Sequence, residues 1–341
     1  MQEYMRIILA FIVSAGIVML IAPFFIPFLR RLKYGQVERE EGPHAHTAKE
    51  GTPAMGGIMF IISITAASLV FSIWNIALRY TLPAVIIMIC CGLVGFVDDF
   101  LKVRRKRNLG LKAYQKVIAQ FLLSLAAALF AYKYLGSEVW FASLNAKVDL
   151  GFWYIPLVMF TMIAIINSAN LTDGLDGLAS GVTLIYSIAM GVIFLYLAGA
   201  FGSGFANAPI MTAEADGMNS MAVFAFAVAG GCMGFLSKNS YPAKVFMGDT
   251  GSMALGGAMC AMVIYSRHIF LFLLMGCCIV ASAVSVVLQV GSFKLRHGKR
   301  IFKMAPLHHH FELLGHPETK IVTGYMIVTA LACLVALMLF M

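Results

Sequence analysis

Charge is what this sequence has least of. Asp, Glu, Lys and Arg make up 12% of its 341 residues, while hydrophobic residues make up 61%. Ordinary soluble domains carry about 25% charged residues, so a soluble globular fold is excluded and a bilayer is implied. Cysteine pairing is missing as well. Cys90, Cys91, Cys232, Cys260, Cys277, Cys278 and Cys333 all lie in or beside apolar stretches and form no C-x-x-C pair, so they read as packing residues and not as a thiolate metal site or redox pair. No long linker, low-complexity run or short-period repeat divides the chain. Its two halves also lack the similarity that marks inverted-repeat transporters. One membrane domain over residues 1–341 is the simplest account. No basic soluble domain is present, which removes nucleic acid as a partner.

What is there is a series of apolar blocks, each long enough to cross a hydrocarbon core as a helix, which takes about 20 residues. Hydropathy places them at 5–29, 54–74, 77–97, 116–135, 153–169, 177–197, 220–236, 252–266, 269–291 and 320–340. The expected fold is therefore an all-α polytopic membrane protein of about ten transmembrane helices. The first block lacks a short apolar region followed by a small-residue cleavage site, so it is expected to be a retained span and not a signal peptide.

The distribution of basic residues gives an orientation, because Lys and Arg resist translocation. If the loop after the first span is cytoplasmic, twenty of the 25 Lys and Arg residues fall on that side. Only Arg6, Arg79, Lys133, Lys147 and Arg267 remain on the other. Both termini are then expected on the non-cytoplasmic side. The net charge of +9 becomes a topology signal, and it also suits anionic lipid head groups and phosphates at the inner surface.

Against this background the informative residues are acids and amides at the cytoplasmic ends of spans, since polar groups near lipid are costly unless they have partners or a function. Asp98 and Asp99 end the third block, with Lys102 one turn on. They read either as a solvated helix end paired with Lys102 or Arg105, or as functional acids. Adjacent residues point about 100° apart on a helix, so the two are not expected to grip one ion together. Asn167, Asn170, Asp173 and Asp176 follow at intervals of three. They share a face if helical and form a polar loop if the chain turns at Gly174 and Gly177. One helix cap does not require four such residues. Asn239 opens a segment that reaches Gly248-Asp249-Thr250-Gly251-Ser252, where Asp249 reads as an N-cap or as a magnesium ligand approached through flexible glycines.

Three further places complete the set. Lys303-Met-Ala305-Pro306-Leu-His308-His309-His310-Phe-Glu312 holds three consecutive histidines inside the chain. On a helix they fan around the axis and on a strand only two share a face, so phosphate hydrogen bonding suits them better than zinc. Lys49 and Thr52 flank a Gly/Pro-containing turn in the first basic loop, a reasonable phosphate contact. Gln289, near the inner end of the ninth block, reads as a base or sugar contact or as an interhelical hydrogen bond.

Together, Asp98-Asp99, Asn170-Leu-Thr-Asp-Gly-Leu-Asp-Gly, Met247-Gly-Asp-Thr-Gly-Ser and Pro306-Leu-His-His-His-Phe-Glu resemble the polyprenyl-phosphate N-acetylhexosamine-1-phosphate transferases. The three-histidine form and Gly51-Thr-Pro-Ala-Met-Gly-Gly favour the branch acting on muramoyl-pentapeptide over that acting on GlcNAc. The likeness runs from Lys49 to Glu312. It implies transfer of phospho-MurNAc-pentapeptide from UDP-MurNAc-pentapeptide to undecaprenyl phosphate, giving lipid I and UMP with Mg²⁺, at the cytoplasmic face of a bacterial inner membrane. It also implies a homodimer in contact with membrane lipids.

By the same resemblance, Asp98, Asp99, Asp249 and His308 are the catalytic set, with Asp249 the metal ligand. Lys49, Thr52, Lys102, Lys116, Asn170, Asp173, Asp176, Asn239, Gly248, Ser252, Gln289, Ala305, His308, His309 and His310 contact substrates. The family often has Thr where this chain has Ala54, which leaves no hydroxyl there. A membrane transporter is the competing class, but its site would lie near the midplane, whereas these acids gather at one membrane edge.

Overall fold

The computed structural model describes residues 2–31, 51–72, 79–105, 110–141, 146–204 and 209–340. Its helices, in chain order, are α1 (Gln2–Arg31), α2 (Gly57–Phe71), α3 (Thr81–Arg105), α4 (Ala113–Tyr134), α5 (Tyr154–Thr172), α6 (Leu178–Gly204), α7 (Pro209–Asn239), α8 (Gly248–Ser266), α9 (Leu271–Met275), α10 (Cys277–Leu295), α11 (Leu307–Glu312) and α12 (Glu318–Met338). Among the described residues, eight helices are long and apolar enough to cross a membrane, which makes this a multi-pass, all-α membrane protein. They are α1, α3, α4, α5, α6, α7, α10 and α12.

Two of the ten hydropathy blocks form helices outside that group. α2 has 15 residues, about 22 Å at the α-helical rise and short of the ~30 Å hydrocarbon core. α8 has 19 residues, but its sequence is dominated by Gly, Ala, Met, Ser and Cys. The reason is its position. Every residue from Thr250 to Ser266 is buried, with α3 and α5 as the principal neighbours. A helix enclosed by protein needs small residues for close approach more than lipophilic ones for solvation.

Two other expectations change. The ninth block is split at Gly276 into α9 and α10. α3 does not end at Asp98-Asp99 but continues to Arg105, because Lys102, one turn on, neutralises both acids at 2.6 and 3.5 Å. Hydropathy also gave no hint of a two-stranded antiparallel hairpin, β1 (Glu138–Phe141) and β2 (Ala146–Asp149), with Val139 opposite Val148. Exposed Phe152 and Trp153 follow it, the kind of aromatics that sit at membrane–water boundaries.

The helices alternate between two faces. On one, the end of α3, the start of α4, the end of α5 and the start of α8 meet through Asp98, Leu111, Lys116, Asn170 and Asp249. The end of α7 reaches the start of α6 there through Asn239 and Ser180. On the other, Arg79 contacts Tyr134 and Tyr265, and Trp140 accompanies Arg267. Among the described residues, Lys116 therefore lies at the first end and Arg79 and Arg267 at the second.

Candidate active site

The site is assembled where α3 and α8 cross. Gly95 permits the crossing: a Cβ there would lie 2.1 Å from the carbonyl oxygen of Asp249, so only a glycine lets the backbones come this close. One turn later α3 presents Asp98 and Asp99, both buried, and the two acids have different partners. Asp99 Oδ1 accepts the Asp249 amide at 3.2 Å. Its Oδ2 accepts the Thr250 amide at 2.8 Å and the Thr250 hydroxyl at 2.7 Å. Asp99 is thus a helix cap supplied in trans, neutralising the orphan amides and positive end of α8. Gly248, at φ +70°, would carry a Cβ 2.5 Å from Asp99 Oδ2, so both its backbone and its space require glycine.

Asp98 faces the lysines. Its Oδ1 accepts the Leu111 amide at 2.7 Å, and its Oδ2 lies 2.6 Å from Lys102 Nζ and 2.9 Å from Lys116 Nζ. The same two ammonium groups reach Asp249 Oδ2 at 2.9 and 2.7 Å. Asp249 Oδ1 accepts the Asn170 amide at 2.9 Å, and Asn170 also donates to Ser252 Oγ at 2.9 Å. Carboxylate oxygens of Asp98, Asp99 and Asp249 lie within 4.8 Å of one another, although neighbouring side chains on one helix were not expected to converge. The third acid, from α8, sits between them and makes the cluster. Hard oxygen donors in this number suit Mg²⁺. Asp99 is turned to the α8 amides, whereas Asp98 and Asp249 share the two lysine ammonium groups and so already stand about one cationic centre.

A second wall begins where α5 ends. α5 stays helical through Thr172 and then turns, so the four-residue polar run divides. Asn167 bonds Gln120 of α4 at 2.7 Å, Asn170 faces Asp249, and Asp173 and Asp176 occupy the loop. Burial, then the charges of Asp249, Asp99 and Asp176, push the Asp173 carboxyl up to about 8. Asp176 Oδ2 accepts the Ala243 amide at 2.9 Å, and its own amide donates to Glu318 at the start of α12. Asn239 is turned inward: it accepts from the Gly177 amide and Ser180 hydroxyl at 3.1 Å and donates to the Val245 carbonyl at 3.0 Å. It shapes the loop as a tie between α6 and the segment before α8.

The histidines form the third wall on the short helix α11. They fan out: His308 is buried, His309 Nδ1 meets Glu312, and His310 Nδ1 accepts the Lys303 amide at 3.1 Å. A Cβ on Gly174 would lie 2.2 Å from His308 Nε2 and 3.0 Å from His309 Nε2, so this glycine lets the imidazoles close on the acidic loop. Gln289 is neither an interhelical bond nor placed by any contact with the acids. Its Oε1 accepts the Ile301 and Phe302 amides at 3.0 Å and its Nε2 donates to the Phe302 carbonyl at 2.9 Å. It holds the chain that carries half-buried Ala305 to α11.

Thr52 is half-buried in a segment lying beside the start of α8, where the Phe246 amide donates to the Pro53 carbonyl at 2.8 Å. Lys49 lies outside the described residues. Sequence reasoning missed Thr250, Ser285 and Glu318. Ser285 accepts the first amide of α11 at 3.0 Å. It lies one turn before Gln289, the only local sign that both serve the same loop.

A family profile described as glycosyl transferase family 4 matches residues 81–267, the stretch that carries all three acids and the Asn170 run. The chain belongs to glycosyl transferase family 4. Within that family it is 45% identical over 329 residues to the phospho-N-acetylmuramoyl-pentapeptide-transferase of Thermoanaerobacter sp. (strain X514), covering 96% of each chain. It is 46% identical to the enzyme of that name from Clostridioides difficile (strain 630), covering 92% of this chain and 91% of the relative. For the Desulfitobacterium hafniense enzyme of that name the figures are 43% identity and 98% of each chain. The alignments to these relatives cover 91–98% of their chains and so extend past the matched profile.

Proposed function

We propose that this protein transfers phospho-MurNAc-pentapeptide from UDP-MurNAc-pentapeptide to undecaprenyl phosphate, releasing UMP and forming lipid I for peptidoglycan synthesis. The observation that carries the reading is the convergence of Asp98, Asp99 and Asp249 with Lys102, Lys116 and Asn170 at the basic end of an apolar bundle. A water-soluble nucleotide sugar and a lipid phosphate can meet only at such an edge. The proposal includes ten membrane crossings, with α2 and α8 joining the eight helices named above. It also puts the site on the cytoplasmic side of a bacterial inner membrane, with both termini outside, and a homodimeric assembly.

The chemistry follows from charge. A phosphate monoester has a second pKa near 6, so the acceptor is mostly dianionic at neutral pH and needs little help from a base. The harder task is to bring two anions together. Lys102 and Lys116 supply the cationic centre, since each already bridges Asp98 and Asp249 and can turn its ammonium toward an incoming phosphate. Asp98 steers the acceptor and takes the proton from the fraction that still carries one. Asp249, with Asp98 beside it, would hold Mg²⁺, which when bound supplies neutralising charge at the diphosphate. Asp99 keeps Asp249 in place by capping α8. The loop from Asn170 to Asp176 and the histidine helix form the nucleotide side.

The decisive experiment compares UMP release from UDP-MurNAc-pentapeptide and UDP-GlcNAc, each with undecaprenyl phosphate and Mg²⁺. Release with the muramoyl donor supports the proposal; release only with UDP-GlcNAc refutes the donor, and no release with either refutes the reaction. Attack is direct in this scheme. Isolation of a phosphorylated enzyme from the nucleotide sugar without lipid acceptor would show a covalent intermediate at Asp249 instead.

A further inference from the structure

The histidine helix carries one acid to which the reaction above gives no role. Glu312 lies three residues after His309 on α11, and its Oε2 is 2.5 Å from His309 Nδ1. Both side chains are largely enclosed, with 14% of the His309 side chain and 10% of that of Glu312 exposed. A charge-assisted bond is stronger in such surroundings than in water. An ionised carboxylate can only accept, so this contact puts a proton on Nδ1. The far nitrogen, Nε2, faces the acidic loop, 3.0 Å from where a Gly174 Cβ would be. The imidazole therefore spans from Glu312 at its back to the loop of Asp173 and Asp176 at its front.

We propose that Glu312 is a positioning residue that accepts from His309 Nδ1 and fixes its ring so that Nε2, protonated in the complex, donates to the phosphates of the nucleotide sugar. A carboxylate behind an imidazole does this generally: it sets which nitrogen carries the proton and stabilises the imidazolium that best binds an anion. This rests on the reading of His309 as a contact of the donor substrate.

The test is a double-mutant cycle on the full-length enzyme in detergent, with separate KM values for UDP-MurNAc-pentapeptide and undecaprenyl phosphate. Glu312→Ala is expected to lower kcat/KM for the nucleotide sugar by roughly 10–100-fold, the usual cost of losing such a supporting carboxylate. The KM for the lipid acceptor should stay within about twofold, and Glu312→Gln, which keeps the acceptor but not the charge, should fall between. In a His309→Ala background the Glu312 substitution should cost almost nothing further. Equal cost in both backgrounds, or parallel shifts in both KM values, would overturn the proposal in favour of a merely structural acid. If Glu312→Ala does not fold, Glu312→Gln carries the same cycle. Failure of the parent itself to release UMP would overturn the substrate assignment, and is distinguishable because the variants play no part in it.

Discussion

The acidic wall and the histidine wall of this site are built by different means. Asp98, Asp99 and Asp249 are held by direct contact between two helix backbones, where a Cβ on Gly95 would sit 2.1 Å from a carbonyl oxygen. The histidines hang on a six-residue helix tied back by side chains: Gln289 to the backbone of 301 and 302, and Ser285 to the first amide of α11. Backbone packing tolerates almost no displacement, because interiors are close-packed. A loop held by four or five hydrogen bonds can give up one and stay folded, each being worth about 1 kcal/mol net. The acidic wall should therefore fail abruptly and the histidine wall by degrees.

The largest effect should come from the acid that both lysines and Asn170 converge on. Asp249→Asn is expected to lower turnover by about three orders of magnitude, the scale of losing a central electrostatic group, in a protein that still elutes as a monodisperse species. A variant within tenfold of the parent would remove Asp249 from the chemistry. Next is Gly95→Ala, which leaves every polar group intact. Its methyl must displace α8, and a shift of about 1 Å can cost some 100-fold in rate, together with a lower melting temperature. Parent-like activity in this variant would mean that the α3–α8 contact does not set the geometry. Gln289→Ala should be milder, a loss of about tenfold in kcat/KM for the nucleotide sugar with little change in melting temperature. If it matched Gly95→Ala, the contrast between the two walls would be lost.

The last prediction concerns stability and not turnover, at Asp173 in the loop that joins the walls. Its carboxyl is raised from 3.8 to about 8 by burial and three neighbouring acids. Between those pH values the folded protein binds a proton that the unfolded chain has released, so stability falls as pH rises toward 8 and is level above it. Asp173→Asn removes this slope. Melting measured without divalent ions should show the variant gaining on the parent between pH 5 and pH 8; a constant difference would count against a raised carboxyl at this half-buried, crowded position.

Helices, faces and the identity of the polar residues were legible in the sequence because each is a local property. Apolar runs mark spans, and basic residues collect at one end of the bundle. The block at 252–266 marked α8 but not its enclosure by protein, which shows only in the burial of every residue from Thr250 to Ser266. The β-hairpin is too short to show a pattern.

The division of roles among the acids was not legible. Asp98 and Asp99 are adjacent and chemically identical, and only the arrival of α8 makes one a cap and the other a partner of two lysines. Nothing in the sequence likewise shows that Asn239 ties Gly177, Ser180 and Val245 together, or that Gln289 holds Ile301 and Phe302.

The sequence by itself determined that this is a helical membrane protein with a polar edge of Asp, Asn, Lys and His, because composition and periodicity act along the chain. Tertiary structure alone decided which acid touches which cation, and what orients each histidine. Those acid–cation contacts join residues up to 147 positions apart, and electrostatic roles depend on distances that no local pattern encodes.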